Sequence, residues 1–153
     1  MHIHIASDHA GFELKQALID HLTAQGHNLI DHGAYAYDPM DDYPGFCQEA
    51  AKAVMRDYGS MGVVIGGSGN GEQIAANKIR GVRAALVWSV RTAKLARAHN
   101  DANIAAIGSR EHSQAEAIEI IDAFLSEPFS GDARHLRRIK QIIHYESHST
   151  SAD

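Results

Sequence analysis

The sequence predicts an α/β fold in which helices cover both faces of a five-stranded parallel sheet, giving three layers. Short apolar runs of strand length alternate along the chain with longer segments whose apolar residues recur at helical spacing. Such alternation is typical of parallel sheets, because each crossover helix packs back against the sheet. The 153 residues, of which 44% are hydrophobic and 22% are charged, suffice for one globular domain with a buried core.

The elements follow one another in a regular order. Strands are predicted over residues 2–6, 27–33, 61–67, 82–88 and 103–108. The first helix, over residues 11–25, carries Leu14, Leu18 and Leu22 on one stripe and stops at Gly26. Further helices are predicted around Phe46, Ala50 and Val54, after the glycine-rich loop, and over residues 90–98, 116–125 and 133–145. The sequence therefore predicts one domain over residues 1–146 with a C-terminal helix, and a polar tail over residues 147–153.

Charge and composition narrow the classes of function. The net charge of -5 argues against a general nucleic-acid binder, and the basic cluster near Arg137 is too local to follow a nucleic-acid backbone. The single cysteine, Cys47, excludes an internal disulfide, and the N-terminus lacks the cationic start and apolar core of a secretion signal. No run approaches the roughly 18 apolar residues of a membrane span. We therefore expect a cytoplasmic protein that binds a small anionic ligand, and neither nucleic acid nor membrane.

The loop GGSGNGE, residues 66–72, lies between the third strand and a helix, where nucleotide-binding proteins hold phosphate. A P-loop requires a lysine where this chain has Glu72, and the spacing of a dinucleotide-binding loop would place its third glycine at the same position. What remains is a row of backbone amides suited to an anion, beside a carboxylate that would repel a phosphate. The loop is therefore expected to serve another kind of anion.

In open parallel sheets, ligands bind beyond the carboxyl ends of the strands. Polar residues from three segments are expected to converge there: Ser7, Asp8 and His9 after the first strand, Ser68 and Glu72 in the glycine-rich loop, and His99 and Asn100 before the fifth strand. The 11 histidines are scattered and have no cysteine partner, so no metal site is expected.

Each of these residues also has a plainer structural interpretation. Asp8 is a preferred helix cap, Ser68 and Asn70 are ordinary turn residues, and Glu72 is an acid favoured in a first helical turn. Asn100 and His99 fit the end of a helix, with Asn100 as a left-handed cap. The glycines favour function, because a bare turn needs fewer than the four at Gly66, Gly67, Gly69 and Gly71. Tyr43 and Cys47 are interpreted as packing residues.

Arginines on the final helix predict an anion site. Arg134, Arg137 and Arg138 are spaced to share one face, while Leu136, Ile139 and Ile143 form another stripe. A solvated basic face is one interpretation, because like charges at this spacing cost only about 0.2–0.5 kcal/mol per pair. A bound dianion resolves the repulsion better, since guanidinium groups match phosphate oxygens in forked geometry. This helix is thus predicted to anchor a phosphate.

Several ordered motifs together resemble a known family. ASDHAGFELK, GGSGNGEQIAANK, ARAHN, IGSRE and the Arg134/Arg138 pair resemble the B-type ribose-5-phosphate isomerases, a family that includes galactose-6-phosphate isomerase subunits. The match runs from the first strand to about Tyr145. The resemblance implies a flavodoxin-like Rossmann fold, no cofactor, and a homodimer or higher oligomer with active sites at the subunit interface.

The resemblance also implies roles for individual residues. Asp8 and His9 contact the sugar phosphate, and the loop from Gly67 through Ser68, Gly69 and Asn70 to Gly71 holds an anionic intermediate. His99 donates a proton for ring opening. Substrate is bound by Asn100, Arg110, Arg134 and Arg138, with the arginines on its phosphate. The His99 segment and the Arg134 helix reach the site from the partner subunit.

One departure from the family pattern concerns the catalytic base. Many members carry a catalytic cysteine where this chain has Gly66, and Cys47 lies far away in sequence. A second branch uses a glutamate at the end of the loop, which matches Glu72. An aldose–ketose isomerase moves a proton between carbons 2 and 1 through an enediolate, whose oxyanion the loop amides would stabilise. Glu72 is thus expected to be the base, with Ser68 aiding proton movement between the oxygens.

The expected reaction is the interconversion of ribose 5-phosphate and ribulose 5-phosphate. Isomerisation of a tetrose, allose or galactose phosphate is the alternative within the same class, and pocket length would separate them. A nucleotide- or phosphate-binding module without catalysis is the alternative from another class, motivated only by the strand–glycine–helix pattern.

Overall fold

The computed structural model describes residues 1–148 and has the predicted parallel sheet of five strands. The strands are β1 (His2–Ser7), β2 (Asn28–Asp31), β3 (Met61–Gly66), β4 (Ala84–Leu86) and β5 (Ile104–Gly108). Their order in the sheet is β2-β1-β3-β5-β4, and every neighbouring pair is parallel. The strand order reverses beside β1 and β3, the place where ligands bind in folds of this kind.

Six α-helices connect and flank the strands within residues 1–148. They are α1 (Phe12–Ala24), α2 (Tyr43–Arg56), α3 (Asn70–Ala76), α4 (Val90–Asn100), α5 (Gln114–Ser126) and α6 (Ala133–His148). A short 3-10 helix over His9–Gly11, which the sequence pattern did not predict, joins β1 to α1. Helix α6 runs two residues into the segment predicted as a polar tail, and the rest of that tail lies outside the described residues.

The core has two halves, one on each face of the sheet. Alternate strand residues such as Ile5 and Ile65 pack against α1, α4 and α5, while Ala6 and Val64 face α2 and α3. Because each strand is covered on both sides, the strands read as continuous apolar runs. Full burial contributes about 1.5–3 kcal/mol for each large aliphatic side chain. The packing of these two layers therefore fixes the positions of the strand ends that border the site. The three-layer α/β prediction is confirmed.

None of the helices over residues 1–148 has the length and hydropathy needed to span a bilayer.

Candidate active site

A cleft of about 420 Å³ lies at the edge of the sheet where the parallel strands end. Its walls come from the turn after β1, the start of α2, the glycine-rich loop after β3 and the turn after β5. The sequence-predicted residues that line it are Asp8, His9, Gly67, Ser68, Gly71, Glu72 and Arg110. One chain therefore brings together about half of the predicted site.

Asp8 caps the 3-10 helix that enters the cleft. Its Oδ1 atom accepts hydrogen bonds from the backbone amides of Ala10 and Gly11, at 2.9 and 3.3 Å. Asp8 is thus a cap as predicted, but of the 3-10 helix, since the N-cap of α1 is Gly11. Its Oδ2 lies on the side of His9, whose Nδ1 is 4.0 Å away. The side chain is buried, so its charge acts on neighbours with little screening by water.

The glycine-rich loop turns tightly into α3. Gly69 has a left-handed φ of 82° and occupies the N-cap position of the helix. The Ser68 hydroxyl oxygen accepts hydrogen bonds from the backbone amide and the side-chain amide of Asn70, at 3.3 and 3.1 Å. Ser68 and Asn70 therefore stabilise the turn, as their residue types predict. This local role is compatible with contacts to a substrate.

Glu72 is almost fully buried behind this loop, with 4% of its surface exposed. Burial raises the pKa of its carboxyl group above the usual range and the Asp8 charge adds to the rise, while backbone amides of Glu72 and Gly69 oppose it. A raised pKa brings a carboxylate closer to the basicity needed to remove a proton from carbon near neutral pH. Glu72 is therefore suited to act as a general base.

The Glu72 carboxylate occupies the space directly over Gly66. A Cβ atom added at Gly66 would collide with the carboxylate oxygens and carbon of Glu72. The Gly66 backbone cannot easily retreat, because it is paired with Gly108 in the sheet and accepts a 2.8 Å hydrogen bond from Ser109. A side chain at position 66 and the Glu72 carboxylate in its present position therefore exclude each other.

The four glycines of the loop do not by themselves indicate a closely approaching ligand, contrary to the prediction. Gly66 makes room for Glu72, a Cβ atom at Gly71 would collide with the Tyr43 ring, and one at Gly69 would lie 2.9 Å from the Ile107 backbone. Internal packing thus accounts for three of the four. Gly67 differs, because the nearest atom to its Cβ position is in the Arg110 guanidinium, 3.2 Å away.

Arg110 is placed by the end of β5. Its backbone amide donates to the Gly67 carbonyl at 3.1 Å, which fixes the turn against the glycine-rich loop. The guanidinium thereby lies beside Gly67 in the cleft, where it supplies the positive charge that the loop itself lacks. It is the one predicted substrate-binding arginine that lines this cleft.

Asp41 was not predicted as a site residue, yet it binds His9 directly. Its Oδ1 atom accepts from the backbone amide and pairs with the ring Nδ1 of His9, at 2.9 and 2.7 Å. Asp41 belongs to the irregular stretch before α2, where no periodicity points to a partner 32 residues earlier.

Asp8, His9 and Asp41 form a group that has the donor types of a metal site. One ligand-capable atom from each lies within 4.8 Å of the other two, and two carboxylates with an imidazole suit zinc. One oxygen of each carboxylate is already engaged, since Asp8 Oδ1 caps backbone amides and Asp41 Oδ1 holds His9. The histidines are also less scattered than predicted, because His144 and His148 stack one turn apart on α6. That no metal is needed stays a prediction.

His99 and Asn100 do not converge on the cleft, so that expectation was wrong for a single chain. Helix α4 starts after the carboxyl end of β4 and runs back to the amino end of β5, so its last turn lies at the opposite edge of the sheet. The left-handed cap is Asp101, with φ of 45°, instead of Asn100. His99 is exposed there, and its ring stacks on buried His135 at 4.2 Å.

The arginines of α6 lie at this same distant edge. His135, which stacks on His99, directly follows Arg134, and the Ser130 amide before the helix bonds the Ala98 carbonyl at 3.1 Å. Arg134 and Arg138 are exposed and lie one turn apart on one face. Arg134, Arg138, His99 and Asn100 thus form a second cluster, outside the cleft that holds Glu72.

The two residues interpreted as packing residues behave differently. Cys47 is fully buried in α2, and burial raises the pKa of its thiol far above the usual range, so it is unsuited to act as a nucleophile or base. Tyr43 packs against Gly71 but also lines the cleft. Its interpretation as packing alone was incomplete.

Comparisons with known proteins show a match along nearly the whole chain. The sequence model of the family described as Ribose/Galactose Isomerase matches residues 3–142. The chain is 56% identical to the ribose-5-phosphate isomerase B of Mycolicibacterium paratuberculosis over 146 residues, which cover 95% of this chain and 92% of that protein. It is 45% identical over 144 residues to a probable ribose-5-phosphate isomerase B of Mycoplasma pneumoniae, covering 94% of each chain.

Solved structures share the fold over nearly their whole length. Ribose-5-phosphate isomerase B from Mycoplasma genitalium with bound ribulose-5-phosphate superposes with a TM-score of 0.92 at 44% identity, covering 96% of this chain and 97% of that one. The Clostridium thermocellum ribose-5-phosphate isomerase B gives a TM-score of 0.93 at 40% identity, covering 97% and 99%. The protein described here belongs to the ribose/galactose isomerase family.

Proposed function

We propose that this protein interconverts ribose 5-phosphate and ribulose 5-phosphate without a cofactor. The observation that carries the proposal is Glu72, a buried carboxylate of raised pKa set against a loop of backbone amides. The agreement with ribose-5-phosphate isomerases B along nearly the whole chain supports it, including one relative that binds ribulose-5-phosphate.

In the proposed chemistry, Glu72 removes the proton from carbon 2 of the open-chain aldose. The electrons shift into the carbonyl at carbon 1, whose oxygen becomes an enediolate oxyanion, and amides of the loop from Gly67 to Gly71 stabilise it. A proton moves between the two oxygens with help from Ser68, and Glu72 returns its proton to carbon 1. Substrate and product are isomers, so the cycle needs no oxidant or reductant.

The remaining predicted residues are assigned by the same proposal. His99 donates the proton that opens the sugar ring, while Asp8, His9 and Asn100 contact the sugar phosphate. Arg110, Arg134 and Arg138 take the phosphate, at the far end of a five-carbon chain from the base. This separation lets a carboxylate and a dianion share one site without close repulsion.

We further propose that the active unit is a homodimer, or a higher oligomer of such dimers, with shared sites. Within one chain the Glu72 cleft and the His99–Arg134 cluster lie at opposite edges of the sheet, so each site would combine one edge from each subunit. The apolar residues Leu136, Ile142 and Ile143 of α6 are 40%, 54% and 44% exposed, as expected of a face that a second subunit covers. The proposal includes a cytoplasmic location, which cell fractionation would test.

The test is turnover of a panel of four- to six-carbon aldose phosphates, compared between wild type and Glu72→Gln. The amide keeps the size of the side chain but removes its basicity, so kcat for ribose 5-phosphate should fall by about 10²–10⁴-fold with KM little changed. In deuterated water the wild type should exchange the carbon 2 proton, and the variant should not. Glu119→Gln removes an exposed carboxylate on α5 and is the matched control.

Three outcomes would redirect the proposal. Faster turnover of a tetrose, allose or galactose phosphate than of ribose 5-phosphate would keep the chemistry and change the substrate. Micromolar binding of ATP or NAD without turnover of any sugar phosphate would instead favour the non-catalytic binding module. Exchange at the wild-type rate in Glu72→Gln would transfer the role of base to another group in the cleft.

A further inference from the structure

The contact between Asp41 and His9 ties an irregular loop to the wall of the cleft. Both the backbone amide and the ring Nδ1 of His9 meet one oxygen, Asp41 Oδ1, at 2.9 and 2.7 Å. The Asp41 side chain is only 10% exposed, whereas that of His9 is 26% exposed. The carboxylate is therefore the fixed partner, and the imidazole is the group that faces the ligand space.

This geometry selects the protonation pattern of the ring. A carboxylate only accepts hydrogen bonds, so Nδ1 must carry a proton. Nε2, on the other side of the ring, has no hydrogen-bond partner among residues 1–148. When the ring is cationic, Nε2 also carries a proton and can donate to a ligand in the cleft.

The charges around His9 favour the cationic ring. Hydrogen bonding to Asp41 raises the pKa of His9, and the charge of Asp8 adds to the rise, against partial burial and the repulsion of Arg110. The Tyr37 ring meets the imidazole edge-on with centroids 6.4 Å apart. Tyr43, Glu72 and Glu111 line the same cleft.

We propose that Asp41 is a positioning residue that holds His9 as an imidazolium, with its Nε2–H directed at the substrate's phosphate beside Arg110. The inference rests on the proposed function, which places a phosphate in this cleft. Asp41 lies outside the family motifs. By controlling the charge of His9, Asp41 would set the pH dependence of phosphate binding without itself contacting the substrate. Because Glu72 does the proton transfer, the effect belongs to KM and leaves kcat nearly unchanged.

Sulfate is the probe, because it stays a dianion over the range in which a phosphate ester itself titrates, near pH 6. In the wild type, sulfate affinity should be constant below the pKa of His9 and fall as the pH rises through it. Asp41→Asn keeps a hydrogen-bond acceptor without the charge, so the fall should begin at lower pH. At about pH 7.5 sulfate should bind about two- to fivefold more weakly to the variant, and the difference should vanish at about pH 5.5.

Two further variants separate this role from a structural one. Asp38→Asn removes an exposed carboxylate from the same loop and should leave the pH dependence of sulfate binding unchanged. His9→Gln should flatten that pH dependence, and adding Asp41→Asn to it should change nothing more. The His9 ring signals in NMR titrations of wild type and Asp41→Asn report the pKa directly, even where kinetics are weak.

Equal weakening of sulfate binding at every pH in Asp41→Asn would overturn the proposal, as would an unchanged His9 titration. Failure of the proposed function would look different. If the protein turned over no sugar phosphate, the sulfate and NMR titrations would still show whether Asp41 controls the charge of His9.

Discussion

At the residue scale, the volume over Gly66 decides whether Glu72, the proposed base, can keep its position. The Glu72 carboxylate fills the space that a side chain at position 66 would need, and the strand holds the Gly66 backbone in place. The loop after β3 and the first turn of α3 thus return the Glu72 carboxylate to the end of the strand, over Gly66.

Gly66→Ala tests this exclusion. The new methyl group should displace the carboxylate, and because small misplacements of a base are costly, kcat should fall about 10- to 100-fold. Added to Glu72→Ala, the same change should do little more. Gly45→Ala is the control, since a Cβ atom at Gly45 meets nothing within 4 Å. Wild-type kcat in Gly66→Ala, measured on protein with native circular dichroism, would show that the carboxylate is not needed in this position.

Glu72 should also make activity and stability respond to pH in opposite ways. Its pKa is raised in the folded protein, so the folded state holds the proton more tightly than the unfolded chain. Stability is then lost as pH rises from the ordinary glutamate range through the raised value, while base activity appears over the same range. Glu72→Gln should therefore be more stable than wild type at neutral pH by about 1 kcal/mol.

The measurement is urea unfolding of both proteins at several pH values. The advantage of Glu72→Gln should disappear below the ordinary pKa of a glutamate, where the wild-type side chain is neutral in both states. An advantage of equal size at acidic pH would mean that packing, and not ionisation, separates the two proteins.

Local residue chemistry was predictable from sequence, whereas contacts between distant segments were not. The cap at Asp8 and the acid at Glu72 follow from position in a strand–turn–helix unit, so residue type alone indicated them. Asp41 meets His9 across 32 residues through a loop without periodicity, and no local rule encodes such a contact. The side chains that pack against the glycines, such as Tyr43 against Gly71, could not be predicted for the same reason.

At the scale of elements, a buried lysine in α1 braces the end of β2. Lys15 is 2% exposed, and its Nζ donates to both oxygens of Asp31, at 2.7 and 2.8 Å, and to the Ala34 carbonyl at 2.6 Å. Asp31 Oδ1 in turn accepts from the Gly33 amide at 2.9 Å. Helix α1 thereby holds the start of the loop that carries Asp41 to the cleft.

Lys15→Met should cost stability because it leaves the Asp31 carboxylate without its cation. We expect a loss of about 2–4 kcal/mol, below that for a fully buried pair since Asp31 is partly hydrated. Lys52→Met breaks the exposed pair with Glu49 and should change stability by less than about 0.5 kcal/mol. Unfolding must be compared at one protein concentration, because oligomers gain stability by mass action. Similar losses of stability in both variants would show that the buried contacts of Lys15 do not stabilise the fold more than an exposed ion pair does.

Element types were predictable because the helices show apolar residues at helical spacing and the strands show short continuous apolar runs. Bounds were less so: the fourth strand was predicted over seven residues, and only Ala84–Leu86 pair with β5. Val87 lies just beyond the end of β4 and is fully buried. A buried apolar residue just beyond a strand cannot be distinguished by sequence from one within the strand. The position of His99 was misjudged because the direction of α4 follows from the topology of the sheet and not from local pattern.

At the scale of the whole molecule, the two clusters at opposite edges make subunit exchange a direct test of shared sites. Glu72→Ala and Arg134→Ala chains should each be inactive alone. In an equal mixture that has exchanged subunits, half of the dimers are mixed, and each mixed dimer holds one intact site of two. Activity should therefore recover to about a quarter of the wild-type level.

Mixing Glu72→Ala with Glu72→Gln is the control, because no combination of those chains restores a base. No recovery in the first mixture, with subunit exchange verified by mass, would mean that each chain builds its own site. Assembly of this kind is beyond local sequence rules, since exposed residues such as Ile142 read as a helix face without indicating what covers it.

The exclusion between position 66 and the Glu72 carboxylate also constrains how this family can evolve. In the proposed mechanism, a lineage that first acquired a side chain at position 66 would displace the Glu72 carboxylate. A lineage that first lost Glu72 would lose the proposed base. Passage from one branch to the other should thus require paired substitutions or a weakly active ancestor. Across relatives, a residue other than glycine at position 66 should therefore accompany a residue other than glutamate at position 72. An alignment of relatives should show covariation between these two positions.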